Sequence, residues 1–262
     1  MKKHTDFPTR KDFFAYLAAN KKEIIELKKS AMKFTEPFGT SILQRNALKS
    51  LNTNYNNDPA SGIIKRTIIG NTYNWMDSQD DVLLPGVFAK SISEKGDRIW
   101  HLHDHEQKIS AKVGKPISVY EKGVSWADLG IELEGNTTAL FMDSNIIKEY
   151  NPLIFNQYLS KEIDQHSVGM QYVNIEIAMN DESEKEAFAL FNKHISAIGN
   201  KEKVLAQGYF FAVKEGKLIE ISAVLDGSNE LTPTIPNEEK NKPIEEKPKG
   251  LNFSSLHGKI KC

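Results

Sequence analysis

The chain has 262 residues, a formal net charge of −1 and a single cysteine, Cys262. That length suffices to bury a core in one or two domains. A near balance of 34 basic and 35 acidic side chains gives no general pull toward nucleic acid or an anionic membrane, and one cysteine excludes an intrachain disulfide, so neither partner nor an oxidising compartment is expected.

Thr9 is a candidate N-cap, and Phe13, Leu17, Ile24, Leu27 and Ala31 recur at helical spacing. This predicts an amphipathic helix from residue 9 to about 34, which packs on its own domain or docks on a partner. The basic start Met1-Lys2-Lys3 runs into further polar residues rather than the apolar stretch of a secretory leader, and no apolar run is long enough to span a bilayer, so a cytoplasmic chain is expected. The sequon at Asn136 is then a chance match. Residues 35–61 read as irregular, with an Asn-rich loop at 52–59 that marks a boundary.

From Gly62 the character changes. Ile63, Ile64, Thr67, Ile68 and Ile69 predict a strand, residues 77–81 a turn and residues 89–92 a short helix. Residues 117–120 and 124–129 flank Glu121-Lys122-Gly123 in the manner of a hairpin, which residues 131–134 extend. Residues 144–161 read as a helix that Pro152 starts or kinks. A strand through Val168, Met170, Tyr172, Val173 and Ile175 follows, then a charged helical insertion between 181 and 200. Residues 204–213 and 218–225 are the last strands, joined near Glu215-Gly216. Beyond Leu231 the chain is rich in Pro, Glu and Lys and cannot bury enough apolar surface to order itself, so 233–262 is predicted to be a disordered tail.

Three segments carry candidate chemistry. Ser167 supplies a hydroxyl, Glu220 a carboxylate, and His101, His103 and His105 imidazoles. A serine hydroxyl becomes a good nucleophile when a base takes its proton; histidine titrates near the working pH, and a carboxylate orients the ring and stabilises its charged form. The three alternate histidines share one face if their segment is an extended strand, so alternation does not choose among them. His166 and Ser167 then point to opposite faces, which argues against His166 as the base. The histidines, with Asp104 and Glu106, also suggest a zinc site. However, the metallo-β-lactamase-like pattern His-x-His-x-Asp-His is not matched, because Asp104 comes one position early. Cys262 lacks the surroundings of a catalytic thiol.

Four landmarks, in order, resemble the prohead maturation proteases of tailed bacteriophages, serine proteases related in fold to the herpesvirus assembly protease. Asp80-Asp81-Val82-Leu83-Leu84-Pro85-Gly86-Val87-Phe88 is similar to the family's Asp-x-(Ile/Val)-x-Pro-Gly-Ala-Phe, with Val87 in place of alanine and one extra residue before the proline. His101-Leu102-His103-Asp104-His105-Glu106, followed by Val113-Gly114, is similar to its catalytic histidine segment. His105-Glu106 is the better register and His103-Asp104 the competing one. His166-Ser167-Val168-Gly169-Met170 is similar to Ser-(Ile/Val)-Gly-(Tyr/Phe), and Leu218-Ile219-Glu220-Ile221-Ser222-Ala223-Val224 to Leu-x-Glu-(Val/Trp)-Ser-x-Val. The resemblance spans roughly Gly62 to Pro233. The chain departs from the pattern in its N-terminal region and in the charged insertion.

The resemblance implies an α+β fold around an antiparallel β-barrel-like sheet with surrounding helices. It divides the chain into an N-terminal helical extension (1–61), a protease domain (62–232) and a tail (233–262). It implies a Ser167–His105–Glu220 triad with no cofactor and no metal. The implied substrates are the major capsid protein, the scaffolding protein and the chain itself, acted on inside the assembling prohead, with a homodimer by analogy to the herpesvirus enzyme. Two other readings stay open: an inactive, scaffold-like assembly protein, and a metal-dependent hydrolase built on His101, His103 and His105.

Overall fold

A computed structural model describes residues 4–33, 48 and 51–237. Phe34 at the end of the predicted first helix, most of the irregular segment at 35–50, the tail beyond 237 and Cys262 lie outside the described residues. Among these the chain forms α1 (Arg10–Ala19), α2 (Lys21–Ser30), β1 (Met32–Lys33), β2 (Ile63–Thr72), β3 (Asp81–Leu83), α3 (Ala89–Lys95) and β4 (Trp100–His103). It continues with β5 (Lys112–Ser125), β6 (Asn136–Ile147), α4 (Pro152–Leu159), β7 (His166–Met179), α5 (Lys185–His194), α6 (Lys201–Gln207) and β8 (Tyr209–Ala223). No helix among the described residues is long and apolar enough to cross a membrane.

The fold is α+β, but its sheet is open and mixed rather than a closed antiparallel barrel. Seven strands run in the order β1-β7-β8-β4-β5-β6-β2, and β3 joins the side of β8. β8 is the reason for both departures. This long strand pairs antiparallel with β7 on one edge, while its other edge takes β3 near its start and β4 near its end, both in parallel. Parallel neighbours require crossovers, which the segments between β3, β4 and β8 provide. The path begins at β1 and ends at β2, and among the described residues no ladder joins those two ends. The sheet instead folds over its core: a side chain on Gly70 of β2 would run into Ile221 of β8.

The N-terminal helices share that core. Phe13, Phe14, Leu17 and Ile24 pack with Val168, Met170, Tyr209 and Ile221, and each fully buried side chain of this size contributes roughly 1.5–3 kcal/mol. The expected single helix is broken at Asn20, whose backbone N–H and side-chain amide both turn back to Tyr16 O. Lys28 of α2 then reaches the fully buried Asp81 carboxylate at 2.6 Å, its ammonium 4.1 Å above the Phe211 ring. At the other end, residues 233–237 are part of the fold: Ile69 N–H donates to Pro233 O, Ile235 N–H to Thr67 O, and Ile235 is buried.

Four further expected elements differ. The predicted hairpin at 117–129 does not form: residues 117–125 belong to one continuous strand, β5, in which Glu121, Lys122 and Gly123 pair with β6, residues 127–129 make a 3-10 turn, and 131–134 add no strand. The Glu121 carboxylate accepts from the Tyr73 hydroxyl at 2.7 Å and the Phe88 N–H at 3.3 Å. The predicted helix at 144–161 divides: residues 144–147 finish β6, and α4 begins at Pro152, capped by the Asn151 side chain on Ile154 N–H. Glu215-Gly216 lies within β8, where Gly216 donates to Val87 O and leaves room for the Phe88 ring 3.0 Å from where a Cβ would sit. Residues 201–207 are helical, as α6, before that strand begins.

Candidate active site

Strand register sorts the candidate residues by face. Ser167 of β7 stands opposite Ser222 of β8, and Gly169 opposite Glu220. On the other edge of β8, Trp100 stands beside Glu220 and Leu102 beside Ser222. Paired residues share a face of a sheet and successive residues alternate. Ser167, Gly169, Glu220, Ser222, Trp100 and Leu102 therefore lie on one face. His101, His103, His166, Val168, Ile221 and Ala223 lie on the opposite one, which carries the main core.

Continued alternation would send His105 to the core face with His101 and His103. Instead β4 stops at His103, and Asp104 and His105 take left-handed backbone conformations, with φ of 51° and 56°. Such angles are uncommon for residues other than glycine and persist where the surroundings fix them. Two hydrogen bonds fix them here: Asp104 N–H donates to Ala223 O at 2.9 Å, and His105 N–H to Ser222 Oγ at 3.2 Å. The turn carries the His105 ring back over β8, where Nδ1 lies 2.6 Å from Glu220 Oε1. Of the three alternate histidines, only His105 meets Glu220.

The carboxylate is fully buried, and the His105 side chain is only 7% exposed. A buried carboxylate needs partners for both oxygens, and Oε2 accepts the Ser222 hydroxyl at 2.6 Å. Gly169 makes room for it, since a Cβ there would stand 1.9 Å from Oε1. With Nδ1 committed to the carboxylate, Nε2 is the ring atom through which His105 can exchange a proton with a reacting group. Ser167 is itself buried, at 5% exposure. A hollow of about 460 Å³ borders this face, walled by Trp100, Leu102, Ile109 and Ile219 with Lys108 and Lys112 at its edge. The Lys112 ammonium stacks 4.5 Å over the Trp100 ring.

The remaining histidines have a different task. His166 Nδ1 lies 3.0 Å from Thr232 O, an acceptor, so that nitrogen carries the proton. Its Nε2 then accepts the Tyr158 hydroxyl at 2.9 Å, Tyr158 Oη accepts His101 Nε2–H at 3.0 Å, and His101 Nδ1 accepts the Ser144 hydroxyl at 2.9 Å. This directional chain requires both rings to be neutral. Burial pushes His101 down to about 3, reinforced by His166, and His166 down to about 4. The chain ties β4, β6, α4 and β7 together immediately behind Ser167. His103 bonds instead to Asp104 at 2.9 Å. The expectation of one histidine face is thus corrected, and among the described residues no group of three His, Cys, Asp or Glu side chains is placed to hold a metal ion.

Sequence reasoning assigned no role to Ser222, Gly169, Tyr158 or Ser144. Ser222 was within reach: two residues after Glu220 in a predicted strand, it must share the carboxylate's face. Tyr158 and Ser144 gave no such signal, because their partners come from distant segments. No family model, curated protein or solved structure matches the chain.

Proposed function

We propose that the chain is a serine endopeptidase of the phage prohead maturation type, acting through Ser167, His105 and Glu220. The observation that carries this reading is the 2.6 Å bond between His105 Nδ1 and the buried Glu220 carboxylate, on the sheet face that Ser167 shares. Ser167 Oγ attacks the scissile carbonyl carbon while His105 Nε2 takes its proton. Glu220 holds the ring in the tautomer with an unprotonated Nε2 and stabilises the imidazolium that forms. The imidazolium then protonates the leaving amine, and water, activated by the same nitrogen, releases the acyl group. Glu220 occupies the position that an aspartate takes in the commonest triads.

The proposal extends to the capsid and scaffolding proteins as substrates, to self-cleavage, and to a fold relation and dimer like those of the herpesvirus assembly protease. It rests there on the four ordered sequence landmarks. The hollow lined by Trp100, the β4 neighbour of Glu220, offers a substrate chain an apolar surface. The histidine-based metal reading loses support, because His101, His103 and His105 face three different partners.

The test is co-expression with the capsid protein of the same phage. Cleavage is expected with the unaltered chain, to be lost in Ser167→Ala and to survive a chelator. Loss with chelator alone would favour metal chemistry. Absence of cleavage, together with incorporation into proheads, would favour the assembly role.

A further inference from the structure

We infer that Ser222 is a positioning residue of this active site, a fourth member that fixes both the carboxylate and the histidine. The inference rests on the serine-protease reading and deepens it.

Three observations converge on one oxygen atom. Ser222 Oγ donates its only proton to Glu220 Oε2 at 2.6 Å. The same oxygen accepts the backbone N–H of His105 at 3.2 Å. The residue is fully buried and stands directly opposite Ser167 in the β7–β8 ladder. One hydroxyl thus bridges the two partners of the His105–Glu220 bond. It holds the carboxylate from the side opposite the imidazole, and it holds the left-handed turn that brings the imidazole there.

The hydroxyl is suited to this by its donor and acceptor count. Glu220 is acceptor-only when ionised and His105 N–H is donor-only, so a bridging group must donate to one and accept from the other. Alanine does neither. Threonine does both. Cysteine has nearly the volume of serine but is a weak donor and a weak acceptor. Ser222 also lies within one strand of the reacting serine without being in line to act as a second nucleophile, because its proton is committed to Glu220.

The test uses a fluorophosphonate probe, which reports activation of a serine without needing the natural substrate. Wild-type protein is expected to be labelled at Ser167, located by peptide mass spectrometry, and Ser167→Ala to be silent. Ser222→Ala is expected to lower the maximal labelling rate by about 10–100-fold, the scale seen when a metal ligand loses its outer hydrogen-bond partner, with little change in the half-saturating probe concentration. Ser222→Thr should recover most of that rate. The proton on His105 Nδ1, followed by NMR as a far-downfield resonance, should broaden or disappear in the alanine variant and return in the threonine variant. If Ser222→Ala proves too unstable to assay, Ser222→Cys replaces it with the same expected loss.

Labelled wild type together with full-rate, NMR-unchanged alanine or cysteine variants would overturn the role of Ser222 while leaving the triad standing. Unlabelled wild type would remove the serine-protease reading and this inference with it. Slow labelling in all three variants, threonine included, would reduce Ser222 to a packing residue and overturn the inference as well.

Discussion

Gly169 and Glu220 define the site at the scale of single atoms. The strand carrying Ser167 passes so close to the buried carboxylate that a methyl group at position 169 would overlap Oε1, at 1.9 Å. Gly169→Ala must therefore push either the carboxylate or the strand aside. Overpacking of this kind costs about 1–3 kcal/mol, and the His105 bond is the contact in its path. On the proposed mechanism the expected outcome is a lower melting temperature with at least a roughly tenfold loss of cleavage; a variant with wild-type turnover would show that Glu220 need not lie where it does. Glu220→Gln tests the charge rather than the space. The amide keeps the shape but lets its NH₂ face the ring, which favours the wrong tautomer, and a loss of roughly 10³–10⁴ in kcat is expected by analogy with the same change in other triads. The thermal transition should move far less than the rate. An equal collapse of both would make Glu220 a structural anchor and not a partner in proton transfer.

At the scale of elements, two features position the proposed triad. One is the end of β4. Asp104 tolerates its left-handed angle because short polar side chains bond locally in that conformation, whereas a β-branched residue is forced into strain of about 1–2 kcal/mol. Asp104→Val is expected to destabilise by that amount and to slow cleavage by swinging His105 away from Glu220; unchanged kinetics would mean that the turn is held from elsewhere. The other is the clamp of α2 on β3. Asp81 is fully buried with Lys28 at 2.6 Å and the Tyr172 hydroxyl as partners. Lys28→Met leaves that carboxylate without its cation, and a loss of about 3–5 kcal/mol is expected in denaturant titration. The legibility of the sequence divides along the same line. β2, α3 and β7 were readable because local pattern and tertiary role agree. Ser167 and Glu220 were readable as residues on strands. The choice among His101, His103 and His105 was not readable from alternation, since a two-residue left-handed turn after β4 breaks the parity without altering any hydrophobic pattern. β5 was misread for a similar reason: Glu121-Lys122-Gly123 has the composition of a turn, and only pairing with β6, where Glu121 stands opposite Leu140, keeps it in a ladder, while Tyr73 and Phe88 from distant segments take its carboxylate. The mixed strand order around β8 depends on crossovers that no local signal specifies.

At the scale of the whole molecule, the neutral histidine chain behind the site couples stability to pH. His101 is pushed down to about 3 and His166 down to about 4, both by burial. Above about pH 6.5 the rings are neutral in both the folded and unfolded chain, and they add no pH dependence. Below that value the unfolded chain takes up protons that the folded chain refuses. Stability therefore falls as pH falls, through a window that closes only near 3 to 4, with a limiting slope of about 2.7 kcal/mol per pH unit for two such sites. His194, lowered by burial and by Lys193 and Lys214, acts in the same direction. Between pH 6.5 and 5 most carboxylates remain ionised, so the histidines dominate that interval. Urea titrations at pH 6.5 and 5.0 are expected to show the midpoint dropping. His166→Gln, which removes one of the two sites and keeps a side chain able to meet Tyr158 and Thr232, should roughly halve the drop whatever its stability at pH 6.5. An equal drop in both proteins would mean that His166 is protonated at little cost in the folded state, and that the directed chain from Thr232 to Ser144 is not what holds the back of the site.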